Sequence, residues 1–226
     1  MIYRGRSGRG CEGRARVADL DLERADAELL ELLDADFTEA QRRAGPWLEC
    51  RPGCSDCCHG PFPITRLDVH RLRRGLNAVA AIEPDRATAV RRRAARAVEV
   101  LVDGFPGDAT TGCLEQDESR LDRYFERHIT LACPALDPET RTCDLHPWRP
   151  VSCRIYGPPV RFGKKTSPPC ELCFRGAPPE TVERCRIEPD PDGIEEAILA
   201  RMGGAVGEDW ATLIAYALAV APATGP

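Results

Sequence analysis

Apolar side chains recur at helical spacing along the first part of the chain. Between Asp19 and Ala44 they lie three, four or seven residues apart, and Gly45-Pro46 is a strong signal for the end of a helix. A second, shorter helix is predicted from Thr65, whose side chain can cap it, to Leu76, with Asp68 in the position of a capping-box acid. The pattern therefore predicts a helix on each side of a cysteine-rich loop.

Three further stretches have a helical pattern. The clearest runs from Pro84 to Val102, where a proline suits the first turn and alanines are dense. Its arginine run, Arg91-Arg92-Arg93, is expected to be a solvated helix face. Two more helices, at 194–202 and 208–219, are predicted to close the chain.

The middle of the chain is predicted to contain little regular structure. Residues 129–160 have short strand and turn signals, and a hairpin is expected from 131 to 145. Residues 157–179 are rich in proline and show no clear pattern. The predicted fold is therefore mainly α, with an irregular cysteine-rich centre and a small β-hairpin, which is an α+β arrangement.

Length and composition favour one globular domain with extensions at both ends. The chain has 226 residues, of which 42% are hydrophobic and 30% charged, so it can bury a sizeable core. Residues 1–18 are expected to be a disordered basic tail and residues 19–186 a cysteine-cluster domain with flanking helices. Residues 187–226 are expected to be a helical segment that packs on the same domain.

The sequence also limits the compartment and the partners. The longest mainly apolar run, 210–221, has 12 residues, which is too short to span a bilayer. Residues 1–20 contain no apolar segment of the kind found in secretory signals, so a cytoplasmic protein outside the membrane is expected. The net charge is −5, and eight thiolates around two divalent ions would change it by −8 and +4 to about −9, which makes nucleic acid an unfavourable partner. These observations leave room for a protein partner, which the sequence does not identify.

Twelve cysteines are the strongest compositional signal. In a reducing compartment, cysteines at short spacings more often hold a metal or do redox chemistry than form disulfides. The first cluster contains Cys50, Cys54, Cys57 and Cys58, and Gly53 within it can supply a turn. Soft thiolates select zinc, iron–sulfur clusters or copper(I). Because neighbouring side chains diverge, the adjacent pair Cys57-Cys58 indicates two sites or one polynuclear site.

Three more cysteines are predicted to form a second cluster. The hairpin from 131 to 145 would bring Cys133 and Cys143 together, and a turn at Arg149-Pro150 would let Cys153 join them. Thiols assembled in this way are a common half of a metal site. Later in the chain, Cys170 and Cys173 form a CxxC pair, and Cys185 stands alone.

Together these motifs resemble the YkgJ-type cysteine-cluster family, also called the CxxCxxCC family of proposed zinc- or iron-chelating proteins. That family combines a leading cluster ending in Cys-Cys with Cys-Pro-x-Leu and Arg-Pro-x-x-Cys-Arg segments, which this chain has between residues 48 and 175. The resemblance also implies that Arg149 and Arg154 lie beside the ligands and offset the charge of the centre. The implied metal ligands are eight cysteines: Cys50, Cys54, Cys57, Cys58, Cys133, Cys143, Cys153 and Cys170.

The chain departs from the family pattern at three points. The first spacing has one extra residue, and His146 stands where the family often has Tyr. Cys173 is an alternative to Cys170 as the eighth ligand, and His146 is an alternative ligand because it follows Cys143 closely. The eight cysteines are expected to converge in space, whereas Cys11 and Cys113 are expected to be dispensable. The expected cofactor is zinc or iron, with an iron–sulfur cluster among the alternatives.

Two hypotheses about the function follow. They differ in whether the protein is an enzyme, which the sequence leaves open. The first is a metal-binding cysteine cluster with a redox or protein-modifying activity. Some members of the family are described as flagellin lysine N-methylases, but nothing outside the cysteines indicates a methyl-donor pocket. The alternative is a zinc-stabilised structural or interaction module without catalysis. A radical S-adenosylmethionine enzyme is less favoured, because a helix rather than a barrel strand precedes Cys50.

Overall fold

Helices dominate the computed structural model, which describes residues 19–202 and 210–219. The predicted tail at 1–18 and Cys11 lie outside these described residues. No described helix is both long and apolar enough to cross a membrane. The α-helices are α1 (Asp19–Ala44), α2 (Arg66–Ile82), α3 (Pro84–Leu101), α4 (Glu118–Arg127), α5 (Val151–Ile155), α6 (Pro179–Arg184), α7 (Ile194–Arg201) and α8 (Ile214–Ala219).

The described chain forms two compact units. Unit 1 contains residues 58–149 and 210–219, and unit 2 contains residues 19–57 and 150–202. The chain passes from unit 2 to unit 1 between Cys57 and Cys58 and returns after Arg149. Helix α7 belongs to unit 2 and α8 to unit 1, and the predicted domain bounds remain a prediction.

Unit 1 is built on α2, α3 and α8, which pack against one another. The predicted capping box is confirmed: the Asp68 N–H donates to Thr65 Oγ1 at 3.3 Å, and the Thr65 N–H donates to Asp68 Oδ2 at 3.2 Å. Helix α2 continues beyond the predicted end at Leu76. Its neighbour α3 confirms the helix predicted from Pro84. Phe105 and Leu213 lie in the apolar core beside α3.

The last predicted helix begins later than expected. Residues 208 and 209 lie outside the described residues, and α8 begins only at Ile214. Before it, the Ile64 N–H donates to the Thr212 carbonyl at 2.8 Å, and the Thr212 N–H returns a hydrogen bond of 3.1 Å. The prediction was wrong here because this extended pairing satisfies backbone groups that a helix would have used internally.

The fold class is confirmed as mainly helical, but its small hairpins lie elsewhere than predicted. Unit 1 contains a hairpin of β1 (Gly107–Asp108) and β2 (Cys113–Leu114). Unit 2 contains a hairpin of β3 (Val160–Phe162) and β4 (Lys165–Ser167). Between 131 and 145 there are only isolated antiparallel bridges, such as Leu136 with Cys143. The prolines and turns of that stretch prevent a regular ladder.

Unit 2 is organised around the long helix α1, against which α5, α6 and α7 pack. Helix α1 confirms the prediction for 19–44. At its carboxyl end an apolar cluster forms from Ala44, Leu48 and Phe174 together with three buried thiols, those of Cys170, Cys173 and Cys185. Cysteines therefore supply part of the core in this unit.

Candidate metal centre

A tight loop presents the first cysteines of unit 2. The Cys54 N–H donates to the Arg51 carbonyl at 2.9 Å, and Gly53 adopts a φ of 87°, as the turn prediction requires. The Cys50 side chain is half-buried beside the apolar cluster at the end of α1. The loop thus directs Cys50 towards the same cluster that contains Cys170 and Cys173.

Gly157 brings Cys50 and Cys170 close together. Its φ is 128°, and a Cβ atom at this position would lie only 2.6 Å from Cys50 Sγ. The Gly157 carbonyl accepts a hydrogen bond of 3.0 Å from the Cys170 N–H. A glycine is therefore required for the sulfur to approach this backbone. No pattern in the sequence indicates this residue, because its role arises from a contact between distant segments.

The CxxC pair closes the thiol cluster. The Cys173 N–H donates to the Cys170 carbonyl at 2.8 Å, which folds the pair into a turn. Cys173 lies close enough to Cys50 and Cys170 to help raise the pKa of both thiols, and Cys54 lies close enough to Cys50 to do the same there. We call Cys50, Cys54, Cys170 and Cys173 the four-thiol cluster. The structure therefore brings both candidates for the eighth ligand to one place.

Burial favours the protonated thiols of Cys50 and Cys170 when no cation is bound. Desolvation, and then the neighbouring sulfurs of Cys173, Cys54 and Cys170, raise the pKa of Cys50 to about 12. Desolvation likewise raises the pKa of Cys170. A soft cation reverses this effect, since it stabilises thiolates that would otherwise repel one another. The donor chemistry fits zinc or iron, although among residues 19–202 and 210–219 no three Cys, His, Asp or Glu side chains are arranged to hold a metal ion.

The two other predicted ligands of unit 2 lie on neighbouring segments. Cys57 lies close enough to Tyr156 to help raise the pKa of the phenol, after burial and Cys170. Cys153 lies on α5, where its N–H donates to the Pro150 carbonyl at 3.0 Å. Neither finding decides whether these two thiols bind a metal, so their role as ligands remains a prediction.

Unit 1 contains the remaining predicted ligands, Cys58, Cys133 and Cys143, which we call the three-thiol set. The Cys133 N–H donates to the Cys58 carbonyl at 2.8 Å, so these residues are neighbours across a short antiparallel contact. The Leu136 N–H folds back onto the Cys133 carbonyl at 3.0 Å, and Leu136 forms an isolated bridge with Cys143. Hydrogen bonds of the backbone thus gather the three residues. The predicted convergence of all eight cysteines stays a prediction.

The flanking arginines and the alternative histidine have well-defined contacts. His146 is exposed, its N–H donates to the Cys143 carbonyl at 3.2 Å, and its Nε2 contacts the Arg149 guanidinium. In unit 2, Arg154 donates from Nη1 to both carboxylate oxygens of Asp34, each at 2.8 Å. Arg154 therefore ties its neighbour Cys153 to α1. Contacts of these arginines with sulfur remain a prediction.

Two cysteines outside the predicted set have other surroundings. Cys113 is disulfide-bonded, so its thiol is not a candidate donor. Cys185 is fully buried in the apolar cluster of unit 2, and burial raises the pKa of its thiol. A buried thiol of this kind packs as a small hydrophobic side chain.

Comparison with known families supports metal chelation by this region. The model of the CxxCxxCC family, described as a putative zinc- or iron-chelating domain, matches residues 49–171. The matched segment contains six of the seven cysteines of the two thiol groups and ends between Cys170 and Cys173. Comparisons with curated proteins and with solved structures found no match.

Proposed function

This chain belongs to the CxxCxxCC family, and from that membership we propose that it holds zinc or iron at thiolate centres that stabilise its irregular segments. One centre uses the four-thiol cluster of unit 2, and the other uses the three-thiol set of unit 1. This division agrees with the diverging pair Cys57-Cys58, whose two members belong to different units.

The four-thiol cluster is the observation that carries the proposal. Four cysteine thiolates are the number and kind of ligands that a closed zinc site or an iron–sulfur cluster requires. Two of them, Cys170 and Cys173, are buried in the apolar cluster at the end of α1, where ligation would fix the chain on both sides. A closed site of this kind holds loops together and contributes directly to folding.

The segment between Gly157 and Cys170 is the part of unit 2 that benefits most from such a centre. It leaves the cluster at one end, forms the β3–β4 hairpin, and returns to the cluster at the other end. The hairpin is short, and its strand β4 is exposed along its whole length. A hairpin of this size is only marginally stable by itself, so a metal at its base would determine whether it stays folded.

The three-thiol set favours a second candidate function, a reactive centre. Three protein ligands with one further position is the arrangement of catalytic zinc sites, where the fourth position takes water or substrate. His146, which lies near Cys143, or His59, which follows Cys58 and forms an isolated bridge with Ala132, could instead fill that position and close the site. Because iron binds the same soft donors, a redox or protein-modifying activity belongs to this candidate. A radical S-adenosylmethionine enzyme is less favoured, since the helix α1 precedes Cys50 and the described sheets are two-stranded hairpins.

The proposal is tested by anaerobic purification followed by metal analysis and absorption spectroscopy. Colourless protein loaded with zinc supports the structural centres, whereas brown protein that absorbs at about 400 nm identifies an iron–sulfur cluster and favours the redox candidate. Cys50→Ser and Cys170→Ser are each expected to lower the metal content by one centre. Purified protein that contains neither zinc nor iron, and takes up neither metal when reduced, would contradict the proposal.

Cys185→Ala is the matched control. Cys185 is fully buried in the same apolar cluster, but it lies outside the family match and the four-thiol cluster. It therefore reports how much a lost buried thiol disturbs unit 2 without removing a proposed ligand. The metal content is expected to stay at the wild-type value in this variant.

A further inference from the structure

A buried carboxylate lies beside the three-thiol set. The Asp144 side chain is 4% exposed and directly follows Cys143 in the chain. Its Oδ1 accepts a hydrogen bond of 2.6 Å from Arg86 Nε, and its Oδ2 contacts Arg93 Nη2. Both arginines come from α3, so Asp144 joins the end of the cysteine-bearing turn to a long, regular helix.

Arg93 holds the other side of the same turn. Its Nε donates to the carbonyl of Pro134, the residue after Cys133, at 2.8 Å. One planar guanidinium therefore contacts the residue next to Cys133 and the residue next to Cys143. Arg93 belongs to the run that sequence patterning predicts to be a solvated helix face, and only part of that run fits the prediction: Arg92 is exposed, but Arg93 is three-quarters buried.

Backbone contacts complete the connection. The Asp144 N–H donates to the Ala135 carbonyl at 2.7 Å, and the Asp137 N–H donates to the Thr142 carbonyl at 2.9 Å. The turn that separates the two cysteines is thereby closed at both ends. The forked guanidinium of Arg93 holds this turn against α3, because isolated bridges alone do not make a rigid strand pair.

We propose that Arg93 and Asp144 are positioning residues that set the separation and orientation of Cys133 and Cys143 for a metal ion. This inference rests on the function proposed above, in which the three-thiol set binds zinc or iron. Groups that orient metal ligands from behind contribute strongly to affinity, since a ligand that is already in place loses less freedom when it binds. Arg suits the task because its fork can satisfy a carbonyl and a carboxylate together, whereas Lys presents a single ammonium.

The experiment uses the full chain and substitutes cobalt(II) for the native metal, because cobalt–thiolate absorption reports the geometry of the ligands. Asp144→Asn, Arg93→Gln and Arg93→Lys are compared with the wild type by competition with a chromophoric zinc chelator. Asp144→Asn and Arg93→Gln are expected to weaken one of the zinc-binding events about 10- to 100-fold. The cobalt spectrum of that event is expected to change, and the other event is expected to keep its affinity.

Arg93→Lys separates geometry from charge. It keeps the positive charge but cannot reproduce the fork, so it is expected to restore little of the lost affinity. Wild-type affinity and spectrum in Arg93→Lys would overturn the positioning role. Arg92→Gln is the matched control, since Arg92 is exposed on the same helix, and it is expected to leave both events unchanged.

The failure of this inference differs from the failure of the proposed function. If the wild type binds metal and Cys133→Ser removes one event, but the Asp144 and Arg93 variants bind as tightly as the wild type, only the positioning role is overturned. If the wild type binds no metal, both proposals are overturned. Should Asp144→Asn fail to fold by circular dichroism, the two Arg93 variants decide the matter, because Arg93 is partly exposed and the buried Asp144 carboxylate keeps Arg86 as a partner when Arg93 is replaced.

Discussion

Arg154 and Asp34 form a two-pronged contact in which one guanidinium nitrogen lies 2.8 Å from each carboxylate oxygen. The arginine side chain is 5% exposed, whereas that of Asp34 is half exposed. Asp34 lies on α1, and Arg154 follows the predicted ligand Cys153 on α5. The contact therefore links the longest helix of unit 2 to a candidate metal-binding segment.

Replacing this arginine is expected to destabilise unit 2. Arg154→Gln removes hydrogen bonds between charged groups, and such bonds contribute about 1.5–3 kcal/mol each in partly buried positions. Urea denaturation followed by circular dichroism measures the change. Arg24→Gln is the control, because Arg24 forms an exposed ion pair with Glu28 on α1, the helix that also carries Asp34. Exposed pairs of this kind contribute less than about 0.5 kcal/mol. Equal effects of the two substitutions would show that the buried contact has no special role.

A methyl group at Gly157 is expected to disturb the four-thiol cluster. The added Cβ would lie 2.6 Å from Cys50 Sγ, so either the sulfur or the backbone must move. Gly163→Ala is a matched control, since Gly163 also has a positive φ of 57° but has open space around its Cβ position. Alanine is disfavoured at both positive φ values, by about 1–3 kcal/mol at the 57° of Gly163 and by more at the 128° of Gly157. Gly157→Ala alone should lower the metal content, and an equal metal content in the two would contradict the cluster geometry.

Helices were the part of the fold that the sequence predicted well. Apolar spacing and the stop signal at Gly45-Pro46 located α1, and the Thr65–Asp68 capping box located the start of α2. These signals are local, because a helix satisfies its own backbone within a few residues. The start of α8 was predicted wrongly, since the pairing of Thr212 with Ile64 depends on a residue 148 positions earlier in the chain.

The hairpins and the details of the site depended on less visible signals. The β3–β4 hairpin turns at Gly163-Lys164, a two-residue loop with glycine first, and the surrounding prolines obscured this turn signal. For the site, spacing identified the cysteines as soft donors. It could not show that Gly157 admits Cys50, or that Arg93 contacts the neighbours of two cysteines. Such contacts join residues that are distant in the chain, and no local pattern encodes them.

Unit 1 is expected to lose stability below about pH 6.5 because of His128, whose ordinary pKa is about that value. Burial, and then the Arg127 guanidinium, lower the pKa of His128 in the folded state. Among the described residues, the buried Nε2 of His128 has no hydrogen-bond partner, and the ring packs against Tyr124 with a centroid separation of 4.7 Å. As the pH falls through the ordinary pKa of histidine, His128 is protonated in the unfolded chain but stays neutral in the folded chain, so unfolding is favoured.

Denaturation midpoints between pH 7.5 and pH 5 measure this effect. His128→Phe keeps the ring contact with Tyr124 and removes the titrating group, so its midpoint should fall less over this range than that of the wild type. Phenylalanine also leaves no unsatisfied nitrogen, so the variant should be at least as stable at pH 7.5. A midpoint that falls equally in both proteins would assign the acid sensitivity to other groups.

Removing the metal is expected to open the β3–β4 hairpin, and a lysine-specific protease can detect this opening at one place. The chain has only two lysines, Lys164 and Lys165, and both lie in this hairpin. The hairpin begins and ends at the four-thiol cluster, through the hydrogen bond between Cys170 and Gly157. In the metal-loaded protein the paired strands should resist cleavage. After treatment with a strong chelator the segment loses its anchor, its ordering entropy is no longer offset, and a single cut should appear much faster. Helical circular dichroism should largely persist, because α1 and α3 have apolar faces of their own.

Cys185→Ala should be protected like the wild type, whereas Cys50→Ser should be cleaved rapidly even without the chelator. Equal cleavage rates before and after chelation would mean that the cysteines do not anchor this hairpin through a metal.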